Sequence, residues 1–486
     1  MPLTAGISGG MTARRLFAIY SVIVIAACIV YVITEITVLF YLAGAILFTG
    51  FIYPDYRRLF YLIFAVLPFS VEYYFEGAGL GTDLPSEPLM LVLTGIGILV
   101  FIQRGFAFDS KYVRDPVFIL LLLHLFWIFV TSINSGHTLI SFKYSLAKIW
   151  YLVPFFFLPL IFVKQREDAL RAYEILYKIL FVSICIVLVR HAMADFSFVA
   201  SYDVVRPFYR NHVNYAAIVV ICLPFVWMFY KMESRGSIKK ILSFVLLIFV
   251  TGIYFSYTRA AILSIFIAAG AFYIIKFRLM KPALGLGVFV GIIGILLLSW
   301  NNRYLDFAPE FERTITHHEF DNLLEATYKL EDISSMERVH RWMAGFAMIS
   351  EKPWLGFGPA TFYSEYKAYA ISRFQTYVSD NPDQSGIHNY FLMLFVEQGV
   401  VGFLIFFILC LVLLVRTEYL YHSLLHRDDK LLVMASGLSL IIILAMCLIN
   451  DLIESDKVGP FFFFNAAILV IYTGKSAIRK NIKQKV

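Results

Sequence analysis

Long apolar runs, separated by short polar stretches, recur along almost the whole chain. A run of about 20 apolar residues is long enough to cross a bilayer as a helix. The pattern predicts fourteen helices, at about 16–34, 36–53, 59–75, 88–103, 116–134, 145–163, 174–192, 213–230, 241–256, 260–275, 282–300, 387–415, 431–450 and 458–474. The junctions at Thr34–Ile36 and Ser256–Arg259 are short enough for kinked or re-entrant pairs as well. One stretch breaks the pattern: 301–386 is too long and too polar for a simple connection. Within it Ser334 and Glu337 have capping-box spacing, followed by Met336, Val339, Met343, Phe346, Ala347 and Ile349 at helical spacing. Pro353 and the turn from Gly356 to Pro359 end that helix. A second helical stretch, at about 360–375, carries Phe362, Tyr363, Tyr366, Tyr369 and Phe374. These aromatics fit a membrane belt, with sugar stacking the alternative for one or two of them. The segment reads as a helical lid lying at the membrane interface.

The expected fold class is therefore all-α: a polytopic integral membrane protein with about 12–14 transmembrane helices, no strand-rich region and a helical extracytoplasmic lid. Four regions follow: N-terminal helices over 1–192, helices carrying arginine segments over 193–300, the lid over 301–386, and C-terminal helices over 387–486.

Composition agrees. The chain is 60% hydrophobic and only 15% charged, against roughly half and a quarter in soluble domains. Arg14 and Arg15 lead into an apolar run that passes Val30 without a small-residue cleavage site, so the first span is expected to act as a signal anchor. Cys28, Cys185, Cys222, Cys410 and Cys447 all fall inside predicted spans and read as small buried hydrophobes rather than a disulfide framework.

Charge placement gives an orientation. Alternate loops, counted from the N-terminus, hold 26 of the 41 Lys and Arg residues, and the segment from Glu72 to Glu87 on the other side is purely acidic. Basic loops stay in the cytoplasm. Both termini are thus expected to be cytoplasmic, and the net charge of +7 needs no nucleic-acid partner. Arg206, Arg210, Arg259, the lid and His388 then lie outside, against the charge trend. Snorkelling to headgroups would explain any one of these arginines alone.

Four outer elements carry candidate chemistry: Arg206 to Asn214 (RPFYRNHVN, with Arg210 and His212), Ser256 to Arg259, Glu337 and Arg338 with Trp342, and His388 with Asn389. Guanidinium groups bind phosphate oxygens bidentately and stay charged, and they can stabilise a departing diphosphate. Histidine suits removal of a proton from a hydroxyl near neutrality. Together these residues suit group transfer from a polyprenyl diphosphate to an alcohol, although a histidine at a helix start can equally be a cap. No P-loop, dinucleotide fingerprint or HExxH motif is present in a credible context. His317 and His318, before Glu319, point apart on a helix, so neither a metal nor another cofactor is expected. Glu397 lies nine residues beyond His388, about 900° of helical rotation away and on the opposite face. It is expected to contact another helix rather than His388, with Gly399 and Gly402 permitting close packing.

Over about 200–410 the chain resembles the O-antigen ligase and polymerase family of bacterial envelope-polysaccharide enzymes. The stretches FSYTRAA, ERVHRWMAGFAMISEKPWLGFGPATF and HNYFLMLFVEQGVVG carry the likeness. In the last, His388, Asn389, Gly399 and Gly402 fill the ligase pattern of His, Asn/Ser/Gln, nine residues, Gly, two residues and Gly/Thr/Tyr. RPFYRNHVNYAA is similar to the family's arginine-bearing segment. The resemblance implies a metal-independent, inverting, GT-C-like glycosyltransferase of the bacterial inner membrane. It would move a glycan from undecaprenyl diphosphate, on the periplasmic side, to a sugar hydroxyl of lipid A–core or another glycan. His388 would be base or acceptor-orienting residue, and Arg206, Arg259 and Arg338 would hold the diphosphate, with Arg210 nearby and Glu337, His212, Asn214 and Asn389 in support. Fourteen spans exceed the roughly twelve common in such ligases, and the extra ones lie in the N-terminal part, which leaves the acceptor open. A polymerase, a protein O-oligosaccharyltransferase and a polysaccharide flippase remain alternatives. A transporter should place its ionisable residues near the midplane, whereas these crowd one boundary.

Overall fold

The structure, a computed structural model, describes residues 56–75, 80–103, 108–300, 333–371, 379–381 and 385–483. The first two predicted spans, the signal anchor, Cys28, His317, His318 and Phe374 lie outside the described residues.

The protein is an all-α polytopic membrane protein. Its elements are α1 (Tyr56–Val66), a hairpin of β1 (Val71–Phe75) and β2 (Leu80–Leu84), α2 (Ser86–Gln103), α3 (Pro116–Ile133), α4 (Thr138–Phe162), α5 (Arg166–Ala192), α6 (His212–Met232), α7 (Gly236–Tyr254), α8 (Arg259–Lys276), α9 (Met280–Ser299), α10 (Ile333–Glu351), α11 (Tyr390–Ser423), α12 (Arg427–Cys447) and α13 (Gly459–Lys483). Among the described residues, nine of these helices are long and apolar enough to cross a membrane: α2 to α8, α11 and α12.

Local chemistry sets several of the helix starts. Asp115 caps α3 by accepting from the Val117 amide, with Pro116 at the first helical position, where its missing N–H costs nothing. Asn211 caps α6 and Asn389 caps α11 in the same way. The predicted span 59–75 is instead an eleven-residue helix and a strand. Pro68 closes the helical run in a short 3-10 turn, and Val71, Tyr73 and Phe75 alternate with Glu72 and Tyr74 as a strand requires. The resulting hairpin pairs Val71 with Leu84 and Phe75 with Leu80, and the hydrophobic pattern did not predict it.

Two faces of the bundle can be followed through α11. It runs antiparallel to α3, with Gln398 beside His124 and Trp127 near one end and Arg416 paired to Asp115 near the other. On the first face, the loop between α12 and α13 ties several elements together. Ser86 donates to Asp456, and Lys457, buried and paired with Asp456, donates to the carbonyls of Leu67 and Ser70. Phe208 packs edge-on to Phe69 with centroids 5.0 Å apart, which brings the segment from Arg206 to Arg210 against the same corner.

The helix expected within 301–386 forms as α10, and it packs along the first turns of α11. Trp342 Nε1 donates to the Ile387 carbonyl, and farther along the Val400 amide donates to the Pro353 carbonyl. The chain then turns back, and the amides of Phe357 and Gly358 donate to the carbonyls of Val396 and Glu397 at 3.0 and 2.8 Å. This stitching fills a break in α11 at Gly399, where φ is +67°. Glycine adopts that conformation without the steric cost of a side chain.

Candidate functional site

The site is built around the turn Gly386–Asn389. His388 has φ +57°, a left-handed conformation uncommon for residues other than glycine. Three neighbours hold the turn. Arg341 Nη1 donates to the Gly386 carbonyl at 3.2 Å, Trp342 Nε1 to the Ile387 carbonyl at 3.0 Å, and the His388 amide donates to Asp451 Oδ2 at 3.0 Å. Asp451 sits so close that a Cβ on Gly386 would lie 2.6 Å from its Oδ2. Asn389 is occupied as the cap of α11, its side chain accepting from the Leu392 amide. A helix, a helix start and an inter-helix loop therefore fix the backbone that carries the imidazole.

Charge gathers at the same point. Burial first, and then the Arg338 and Arg341 guanidinium groups, push the His388 imidazole down to about 3, so it is neutral at physiological pH. Asp451 moves the other way: burial raises it to about 6, the Glu454 carboxylate adds to this, and the His388 and Asn389 amides and Arg341 oppose it. Glu337 steadies Arg341 through a 3.5 Å ion pair and itself accepts from Ser379 Oγ at 2.7 Å.

Behind the turn lies a second polar layer. Lys148, 2% exposed, pairs with Glu454 at 2.5 Å and donates to the Tyr390 hydroxyl at 3.2 Å. Tyr144 donates to the same carboxylate at 2.8 Å. A lysine buried in a membrane protein is tolerated where it is paired in this way.

The other expected residues occupy neighbouring helix ends on the same face. Arg259 opens α8 directly after Thr258, whose hydroxyl donates to the His212 carbonyl at 3.4 Å. Tyr257, at φ +52°, donates to the Phe196 carbonyl, and the Tyr202 ring meets His212 edge-on at 4.3 Å. Arg206 and Arg210 are exposed, and the Arg206 carbonyl accepts from Arg190. The cap of α6 is Asn211, with the Asn214 amide as its donor.

Glu397 is occupied away from His388: it accepts from the backbone amides of Ala360 and Phe362 at 2.8 and 3.1 Å, the second at the start of the short helix Phe362–Glu365, and so anchors the loop that fills the α11 break. Gly399 faces that loop too, since a Cβ there would lie 2.0 Å from the Trp354 carbonyl oxygen. Gly402 does serve helix packing, against Trp127 of α3.

Sequence reasoning missed Arg341, Asp451, Glu454 and Lys148. Each left a signal. Arg341 lies four residues after Glu337, hence on the same helix face. Asp451, Glu454, Asp456 and Lys457 crowd one short connection between predicted spans, and Lys148 falls inside one. Among the described residues, no group of three or more His, Cys, Asp or Glu could hold a metal ion.

Residues 242–407 match the family model described as O-antigen ligase. The likeness to that family covers about a third of the chain. The match runs from α7 into α11 and takes in Arg259, Arg338, Arg341, His388, Gly399 and Gly402, while Arg206, Arg210 and Asp451 lie outside it. No curated protein gives a significant match to the chain. The O-antigen ligase family comprises glycosyltransferase-like transferases, and it implies a lipid-linked glycan substrate and a membrane setting.

Proposed function

We propose that the protein transfers a glycan from undecaprenyl diphosphate to a hydroxyl of lipid A–core at the outer face of the bacterial inner membrane, without a metal ion. The single observation that supports this most is the His388 turn: a backbone held by Asp451, Arg341 and Trp342, its imidazole beside two guanidinium groups, inside the ligase-matched segment.

In this mechanism Arg338 and Arg341 receive the diphosphate, and Arg206, Arg210 and Arg259 add positive charge on the same face. The acceptor oxygen attacks the anomeric carbon from the side opposite the diphosphate, forming the new glycosidic bond as the C–O bond to phosphate breaks. The configuration inverts, the bond electrons leave with the diphosphate, and His388 takes the hydroxyl proton. Electrostatic stabilisation of the leaving group supplies much of such a rate enhancement. Before the donor binds, His388 is a weak base because it is buried and because Arg338 and Arg341 face it. A bound diphosphate offsets those charges, so base strength rises once the donor is seated.

The test is loss of the gene followed by inspection of surface glycan. Full-length lipid-linked polymer left unattached supports ligation. Single repeat units still attached to lipid A–core would instead identify a polymerase, which shares donor and architecture.

A further inference from the structure

The face opposite His388 contains a crevice of about 890 Å³ that the transfer reaction does not use. It lies about 27 Å along α11 from Gln398, the rise of 18 helical residues to Arg416. One wall is apolar, formed by Leu411, Val412 and Val415 of α11, and basic residues Arg278, Lys281 and Arg416 line it as well.

The local sequence explains the opening. Arg278, at φ +61°, turns the chain between α8 and α9. That turn is pinned to α11 by the Met280 amide donating to Glu418 Oε2 at 2.8 Å and by a 2.9 Å contact between His422 Nε2 and the Ile275 carbonyl. Beyond the pins α9 leaves the bundle: Leu286, Phe289, Val290 and Leu296 are all more than half exposed. The wedge between α9 and α11 is thus open sideways, toward hydrocarbon in a membrane. Tyr273 and Phe277, exposed and stacked with centroids 6.2 Å apart, mark the headgroup level at the end of α8.

The charges at this level are unevenly used. Arg416 is paired with Asp115 at 2.6 Å, and Glu418 is engaged by the Met280 amide. Arg278 and Lys281 have no ion-pair partner among the described residues. An apolar cleft in which Arg278 and Lys281 outnumber the single carboxylate of its lining, Glu418, is complementary to an anionic amphiphile. Basic pockets between membrane helices bind anionic lipid headgroups by this chemistry. We propose that this crevice is a binding site for one anionic phospholipid, its headgroup phosphate held by Arg278 and Lys281 and its acyl chains against Leu411, Val412 and Val415.

Native mass spectrometry of the full chain, released from nanodiscs containing phosphatidylglycerol and phosphatidylcholine, tests this. One phosphatidylglycerol per chain should persist after other lipids are stripped. The R278Q/K281Q double variant should weaken its retention roughly 30-fold while leaving glycan transfer and phosphatidylcholine binding unchanged. Val412→Trp, which fills the cleft without altering charge, should also expel the lipid, and it covers the case in which the double variant does not fold. Equal retention of phosphatidylcholine by the wild type, or undiminished phosphatidylglycerol on either folded variant, would reduce the site to general lipid contact and overturn the proposal. Glycerol phosphate should not compete; if it displaced the lipid at comparable concentration, the occupant would be a soluble phosphate compound instead.

Discussion

The His388 amide donates a 3.0 Å hydrogen bond to the Asp451 carboxylate, joining residues 63 positions apart in the chain. Asp451 thereby holds the backbone of the histidine rather than its ring, so its proposed role is positional. Asp451→Ala should lower glycan transfer by roughly 10- to 100-fold, the range expected for loss of a hydrogen bond to a charged group. Asp451→Asn keeps an acceptor oxygen and should retain most activity. Comparable protein levels, with kcat reduced more than donor KM, are the signature to look for. Equal damage from the two variants would show that the carboxylate charge, not the anchor, matters.

The pH dependence follows from burial and from the arginines. Burial first, and then Arg338 and Arg341, lower the His388 pKa to about 3 before the donor binds. Removing one positive charge favours the protonated form, so Arg341→Gln should raise that value part of the way, with burial still holding it below the ordinary range. With donor saturating, the diphosphate already offsets the arginines, and the acid limb of the pH–rate profile should move much less. Histidine titration by NMR in the empty protein and kcat against pH at saturating donor separate the two states. An unchanged His388 titration in Arg341→Gln would remove the electrostatic link. His388→Ala should abolish transfer at normal expression, and wild-type activity from that variant would remove His388 from the mechanism.

Much of the helical framework was legible because each span must be apolar over its length, and α2 to α8, α11 and α12 meet that condition. The hairpin was not, because its five-residue strands merge with the apolar run of α1. At the candidate site, motif and expected sidedness pointed to His388 and Arg338, but nothing local pointed to Asp451. Its contact depends on how the α12–α13 loop folds back over the start of α11, a long-range relationship with no local periodicity. For Glu397, helical rotation pointed to a partner other than His388; that partner is the backbone at Ala360 and at Phe362, the first residue of a short helix, and spacing along α11 alone does not reveal which segment it is.

The buried pair behind the site should be fragile to single changes. Lys148 is 2% exposed and lies 2.5 Å from the half-buried Glu454, so losing the lysine leaves that carboxylate without its counter-charge. Lys148→Met alone should destabilise the protein by about 1–3 kcal/mol, less than for a fully buried pair because Glu454 keeps some water and its hydrogen bond from Tyr144. The double variant Lys148→Met with Glu454→Gln should recover much of that loss, since no unpaired charge remains. Thermal unfolding in one detergent gives the comparison. A double variant no more stable than the single one would mean that the pair is not energetically coupled.

Gly399 offers the sharpest contrast between sequence pattern and physical cause. A Cβ at this position would lie 2.0 Å from the Trp354 carbonyl oxygen and 2.7 Å from the Leu355 amide nitrogen, on a backbone with φ +67°. Both the conformation and the space exclude a side chain, and the atoms in the way are backbone atoms that cannot rotate aside. Gly399→Ala should therefore displace the 353–358 loop from the break in α11, with loss of folded protein or of transfer. Gly236→Ala, where a Cβ meets nothing within 4 Å, controls for helix propensity and should be neutral or slightly stabilising. Limited proteolysis of detergent-purified protein supplies the readout: cleavage near Lys352 should accelerate in Gly399→Ala and stay at the wild-type rate in Gly236→Ala. Unchanged cleavage and activity in Gly399→Ala would show that the loop does not depend on the glycine.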